Sequence, residues 1–211
     1  MIERHLKIRR DSKSSFFLFG ARGTGKTTFL RSTFSNDEAI FIDLLDPVEQ
    51  DLFSREPREL ERRVLALRPE CRWIVIDEIQ KAPRLLDIVH KLIESGDRLF
   101  ALTGSSSRKL KRGVSNLLAG RAFVYNLFPF SSSELGDRFE LVDGLKWGML
   151  PGIQKFDNDV DKQHFLRAYA LTYIKEEIQE EQLIRKLDPF RQFLEVAAQT
   201  SGKIVNYSKI A

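Results

Sequence analysis

Apolar residues along this chain come in two spacings, and the spacing switches from one stretch to the next. Short runs stand at Phe16-Phe17-Leu18-Phe19, Ala39 to Leu44, Trp73-Ile74-Val75-Ile76, Arg98 to Thr103 and Ala122 to Leu127. Runs of this length between polar breaks predict strands buried on both faces, as in a parallel sheet with helices on either side. Between them the spacing turns helical. Leu85, Leu86, Ile88, Val89, Leu92 and Ile93 recur on one helix face, and Leu60, Val64 and Leu67 do so between Pro57 and Pro69. Thr28-Phe29-Leu30-Arg31 opens a helix after the first run, and Ser35-Asn36-Asp37, Pro47 and Ser95-Gly96-Asp97 are the breaks. Strand and helix alternate, so the expected class is α/β.

From about residue 138 the pattern changes. Leu145 to Ile153, with Trp147, Gly148, Pro151 and Gly152, reads as a connector. Asp161 to Glu181 predicts a long helix with Phe165, Leu166, Tyr169, Tyr173, Ile174 and Ile178 inward and Glu176, Glu177, Glu180 and Glu181 on a solvated face. Asp188-Pro189 starts another helix through Phe190, Phe193, Leu194, Val196 and Ala197, and Ser201-Gly202-Lys203 stops it. Ser131 with Glu134 is a capping-box signature. The expected organisation is a basic lead-in over 1–14, an α/β core over 15–137 and a small helical region over 138–211, which is expected to pack over a ligand of the core.

Composition narrows the class. In 211 residues, 42% are hydrophobic and 30% charged, as in soluble globular proteins. A lone cysteine, Cys71, excludes an intramolecular disulfide and fits a reducing cytosol. No run is long enough to span a bilayer and Met1 to His5 has no signal-peptide core, so the expectation is a cytoplasmic protein without a membrane partner. The net charge of +4 is compatible with nucleic-acid contact and does not argue for it. Arg4, Lys7, Arg9, Arg10 and Lys13 surround Leu6 and Ile8, and the plain reading, a solvated lead-in, is preferred to a phosphate-touching arm. His5, His90 and His164 each stand alone, so no structural zinc is expected.

The chemistry concentrates where strands end. Gly20-Ala21-Arg22-Gly23-Thr24-Gly25-Lys26-Thr27 fits G-x-x-x-x-G-K-[ST], between a strand and a helix that continues at Thr28. Its glycines let backbone N–H groups approach phosphate oxygens, and the helix adds its unpaired donors and dipole. Lys26 is expected on the β- and γ-phosphates and the Thr27 hydroxyl on Mg²⁺. The third run ends in Asp77-Glu78, at the strand end where open α/β sheets bind ligands. There Asp77 would hold Mg²⁺ and Glu78 would activate the attacking water. The next run ends at Thr103 before Gly104-Ser105-Ser106-Ser107, where a hydroxyl could sense phosphate or simply cap a helix. Arg108, Lys109, Lys111 and Arg112 form a basic cluster, open to nucleic acid, to an acidic partner or, by preference, to solvent alone. Arg121, before the last run, reads either as a finger for the transferring phosphoryl group, in its own or a neighbouring chain, or as a surface arginine.

The segments FFLFGARGTGKTTFL, WIVIDEIQKAP, LTGSSSRKL, LLAGRAFVYNLFPFSSSEL and FLEVAAQTSGKIVNYSKIA together resemble the AAA-domain P-loop ATPases that carry a DUF4143-type C-terminal region. The resemblance spans nearly the whole chain. It implies an ASCE-type sheet in the order 5-1-4-3-2, ATP as ligand, the roles above for Lys26, Thr27, Asp77 and Glu78, a sensor at Ser105 or Thr103, and a functional Arg121. The loop interior departs, with Ala-Arg-Gly-Thr where many relatives have Pro-Arg-Arg-Val. Relatives also continue beyond the point matching Ala211, so the sequence is read as a fragment or an abbreviated member.

The expected function is Mg²⁺-dependent ATP binding and hydrolysis by an AAA-type motor or switch, with an oligomer if Arg121 acts in trans. The absence of an Asn-Lys-x-Asp pattern favours ATP over GTP. The alternative is a nucleotide-gated nucleic-acid or protein binding module with negligible turnover. A small-molecule kinase is disfavoured by Glu78 beside Asp77.

Overall fold

The computed structural model describes residues 2–9, 13–96, 98–105, 121–173 and 187–200. The five apolar runs are strands: β1 (Ser15–Phe19), β2 (Ala39–Asp43), β3 (Trp73–Asp77), β4 (Leu99–Gly104) and β5 (Ala122–Asn126). They form one sheet in the order β2-β3-β4-β1-β5, with every pair parallel. Read from the other side this is 5-1-4-3-2, the order that the resemblance implied.

Side-chain alternation splits the core between the two sheet faces. On one face Phe17, Phe19, Ile42, Ile74, Ile76, Phe100 and Leu102 pack with Phe53 of α2 (Pro47–Arg55), Leu60 and Val64 of α3 (Glu59–Leu65), and Leu85, Leu86, Val89 and Leu92 of α4 (Leu85–Ser95). On the other, Phe16, Leu18, Trp73, Val75 and Ala101 meet Leu30 of α1 (Lys26–Thr33) and Phe34. Phe16, Phe34 and Trp73 make a tight aromatic group there, with ring centroids 4.9 to 6.4 Å apart. Each fully buried Phe, Leu or Ile contributes about 1.5–3 kcal/mol, which is why uninterrupted apolar runs mark the middle of such a sheet. Helix punctuation follows local chemistry. Asp46 caps α2 through the Val48 N–H at 2.8 Å, with Pro47 at the first turn, and Gly96 ends α4 in a left-handed conformation.

Beyond β5, Ser131 and Glu134 form the capping box of α5 (Ser132–Leu135). Then come α6 (Leu141–Trp147), a 3-10 turn over Pro151–Lys155, α7 (Asp159–Tyr173) and α8 (Leu187–Thr200). The chain divides into two compact units, Met1–Phe165 and Leu166–Ala211. Within the first, the Phe156 and Phe165 rings pack 5.7 Å apart, and a Cβ on Gly152 would stand 2.4 Å from the Phe165 ring. In the second, Tyr169 and Tyr173 stack at 5.8 Å, and Phe193, Leu194 and Val196 of α8 are exposed. Ile174, Ile178, the four glutamates of 176–181 and Ser201 to Ala211 lie outside the described residues, as do Arg10, Ser106, Ser107, the 108–112 basic cluster and Leu118-Ala119-Gly120.

Candidate nucleotide site

Because all five strands run the same way, their C-terminal ends share one edge, and the turns leaving β1, β3 and β4 meet there. The turn after β1 needs its glycines for two reasons. A Cβ on Gly20 would lie 2.3 Å from the Leu127 carbonyl oxygen, so only hydrogen fits. Gly23 and Gly25 have φ of 78° and 89°, conformations that side chains strain to reach. Gly25 is also the N-cap of α1. The turn is braced by Thr24, whose buried hydroxyl donates to the Ala21 carbonyl at 2.8 Å. Lys26, only 6% exposed, donates to the Gly20 carbonyl at 2.8 Å and lies 3.5 Å from Glu78 Oε1.

The β3 end supplies the acids. Asp77 is buried and receives hydrogen bonds on both oxygens, from Thr27 Oγ1 on Oδ2 and from Thr103 Oγ1 on Oδ1. Thr103, fully buried, also accepts the Glu78 backbone N–H at 3.0 Å. One hydroxyl from β4 therefore holds both acidic residues of β3. Glu78 sits at φ 57°, ψ 50°, and is the one non-glycine residue with positive φ among the described residues. A left-handed backbone costs such a residue about 1–2 kcal/mol, and strain of this kind clusters at functional positions. Its carboxylate takes a hydrogen bond from Gln80 Nε2, which also lies 3.5 Å from Ser105 Oγ. Gln80 Oε1 is buried without a partner among the described residues.

The structure brings together Gly20, Thr24, Gly25, Lys26, Thr27, Asp77, Glu78, Thr103 and, through Gln80, Ser105. Ala21 and Thr28 are exposed, and Arg22 is half-buried. Arg121 is not brought to this site. It precedes β5, where Ala122 pairs with Ser15, at the sheet edge opposite the Gly20–Thr27 turn. Five residues of strand separate the edges, roughly 15 Å. There Arg121, 44% exposed in its side chain, pairs with Glu94 at 3.0 Å.

Two further contributors were not singled out from the sequence. Gln80 lies in the short turn after β3, where no spacing marks it. Arg4 was read as solvated, yet its side chain is about 10% exposed. Its Nε donates to Glu134 Oε1 at 3.1 Å, Nη1 to the Thr24 carbonyl at 3.0 Å and Nη2 to the Phe128 carbonyl, and it lies 4.6 Å over the Phe130 ring. A signal was available. Ile2, Arg4, Leu6 and Ile8 are half-buried while Glu3, His5, Lys7 and Arg9 are exposed, a period of two that puts Arg4 on the apolar face. Burial would raise the Glu134 carboxyl, but the Ser131 and His5 backbone N–H groups and Arg4 outweigh it and hold the carboxyl below its usual range.

Beside the turn lies a cavity of about 1080 Å³, floored by Gly25, Thr28 and Phe29 and walled by Leu6, Ile8 and Phe165. The residues after β5 reach it too, with the Pro151 ring 3.8 Å from where a Gly25 Cβ would stand.

A parallel α/β sheet in this order, with a glycine-rich turn between β1 and α1 facing an acidic strand end, defines the P-loop class. Residues 12–136, more than half of the chain, match the family described as AAA domain, and the chain belongs to it. Residues 138–211 match a domain of unknown function, DUF8612, not the DUF4143-type region that the resemblance implied. No curated protein matches the chain. Among solved structures it is similar to Caenorhabditis elegans PCH-2 (17% identity, TM-score 0.41, covering 59% of this chain and 38% of that one). It is also similar to the Aeropyrum pernix ORC1 protein in complex with DNA (18%, TM-score 0.40, 59% and 42%). A third likeness is to domain III of the Thermotoga maritima replication initiation protein DnaA (16%, TM-score 0.40, 93% and 81%). The chain spans about two fifths of the length of the first two.

Proposed function

We propose that this chain binds ATP with Mg²⁺ and hydrolyses it, as an AAA-type motor or switch. The observation that carries the reading is the meeting of the Thr27 hydroxyl with the Asp77 carboxylate while Lys26 and Glu78 stand 3.5 Å apart beside them. Thr27 and Asp77 are hard oxygen donors in contact, the donor set Mg²⁺ takes beside phosphate. The ion would neutralise charge on the phosphate oxygens. Lys26, now held by a backbone carbonyl and by Glu78, would turn to the β- and γ-phosphates. That leaves the Glu78 carboxylate to take the proton of the attacking water. Thr103 keeps both acids in place, through Asp77 Oδ1 and the Glu78 N–H. The adjoining cavity, apolar along Leu6, Ile8 and Phe29, suits the base and ribose.

The test is release of free phosphate by the purified chain, wild type beside Lys26→Ala and Glu78→Gln, with and without DNA. Wild-type turnover that both substitutions abolish is the expected result. Undiminished release in Glu78→Gln would remove Glu78 from the mechanism. DNA belongs in the assay because of the Arg108–Arg112 cluster: negligible release under all conditions, together with a DNA affinity that falls steeply with salt and changes with ATP, would favour the nucleotide-gated reading. Any action of Arg121 on a phosphoryl group would come from a second copy of the chain, which light scattering with a non-hydrolysable ATP analogue would detect.

A further inference from the structure

The geometry points to a task for Arg4: we infer that it presets the peptide plane of the phosphate-binding turn, and so acts as a positioning residue for nucleotide. The inference rests on the nucleotide reading above. Among the described residues no peptide is cis, and in a trans peptide the C=O and N–H point in opposite directions. Arg4 Nη1 holds the Thr24 carbonyl at 3.0 Å. The N–H of Gly25, in the same plane, is thereby turned the other way.

Glycines on both sides leave this plane room to turn. Gly23 at φ 78° and Gly25 at φ 89° stand just before and just after Thr24, and glycine crosses between conformations with small penalty. The Thr24 N–H and hydroxyl both go to the Ala21 carbonyl, and the Gly25 carbonyl takes the Phe29 N–H, so these bonds hold the flanking groups, and Arg4 is what grips the Thr24 carbonyl between them. Arg4 is equipped to do so because its own position is over-determined. Glu134 takes Nε at 3.1 Å and the His5 N–H at 2.7 Å on one oxygen, and is fixed through its other oxygen by the Ser131 N–H at 2.9 Å. The Phe128 carbonyl and the Phe130 ring complete the seat. The planar fork of arginine can serve Glu134, Phe128 and Thr24 at once, whereas a lysine ammonium is a single point charge on a flexible stem. One guanidinium thus joins the N-terminal segment, the phosphate-binding turn and the exit from β5.

Calorimetry on the purified full chain tests this, with MgATP and with magnesium tripolyphosphate, for wild type, Arg4→Ala, Arg4→Lys and Lys26→Ala, each with its Tm. Both Arg4 variants should bind both ligands about 10- to 100-fold more weakly, with kcat at saturating ATP within about threefold of wild type. If Arg4→Ala fails to melt cooperatively, Arg4→Lys carries the test, since it keeps the charge and most of the side-chain volume. The wild type supplies a readout of its own, since the Gly25 amide resonance must shift when tripolyphosphate binds. An unmoved Gly25 amide, or an Arg4→Lys variant of native Tm that binds tripolyphosphate within about twofold of wild type, overturns the inference. Weakening confined to MgATP also overturns it, because that would place Arg4 on the nucleoside alone. A wild type that takes up neither ligand overturns the nucleotide reading itself. Binding that Lys26→Ala abolishes and Arg4→Lys leaves intact overturns only the assignment of Arg4.

Discussion

At one edge of the sheet, Lys26, Asp77 and Thr103 are buried polar groups, Glu78 is held in a left-handed backbone, and the carbonyl of Thr24 is gripped by an arginine from the N-terminal segment. At the other edge, Arg98 donates to the carbonyls of Cys71 at 2.9 Å and Leu67 at 3.1 Å, and Arg121 meets Glu94 in solvent. The strands are the same five. The contrast shows where a parallel sheet accumulates polar, strained and therefore reactive groups. Strand C-termini and the N-terminus of α1 converge on one edge, where a helix leaves unpaired N–H donors. The opposite edge needs only to seal backbone carbonyls.

The comparison breaks first at Lys26 and Glu78 if it is wrong. Lys26→Ala should weaken MgATP at least about 100-fold by calorimetry, and Glu78→Gln should keep binding while steady-state phosphate release falls about 100- to 10,000-fold, the range for loss of a general base. Thr103→Val comes next. It keeps the shape and removes the hydroxyl that serves Asp77 and the Glu78 N–H, so turnover should fall about 10- to 100-fold and chemical unfolding should show a loss of about 1–3 kcal/mol, while Thr103→Ser restores most of both.

Smaller effects sharpen the picture. Glu134 has its carboxyl held below the ordinary value of 4.5 in the fold, so its stabilisation is fully present above that value and is lost as pH falls through the lower, folded one. The Tm gap between wild type and Glu134→Gln should therefore be open at neutral pH and shrink as the pH is taken below 4.5. Least of all, Arg121→Ala removes an exposed ion pair, and should leave MgATP affinity within about twofold and stability within about 1 kcal/mol. A large loss of turnover in that variant, appearing only as protein concentration rises, would mark a role in a neighbouring chain.

Much of this was legible in the residues because it is local. Strand-length apolar runs declared β1 to β5 to within a residue or so, and Gly20–Thr27 and Asp77-Glu78 each carry their chemistry in consecutive positions. The helices past Phe165 show the limit of the same reasoning. Their apolar spacing predicts the helix of α8, yet Phe193, Leu194 and Val196 are exposed, because periodicity says which face is apolar and nothing about what covers it.

What the sequence determined by itself was the set of elements and the places of the glycine-rich turn and of the acidic pair at a strand end, since propensity, turn chemistry and side-chain period act over a few neighbouring residues. Tertiary structure alone decided that Thr103 holds both acids, that Gln80 lies beside Ser105, that Arg121 lies at the far edge, and that Arg4 meets Glu134 across 130 positions of chain. Those are contacts between elements, chosen by strand order and by where each chain segment crosses the sheet, and no local pattern encodes which distant partner a side chain will find.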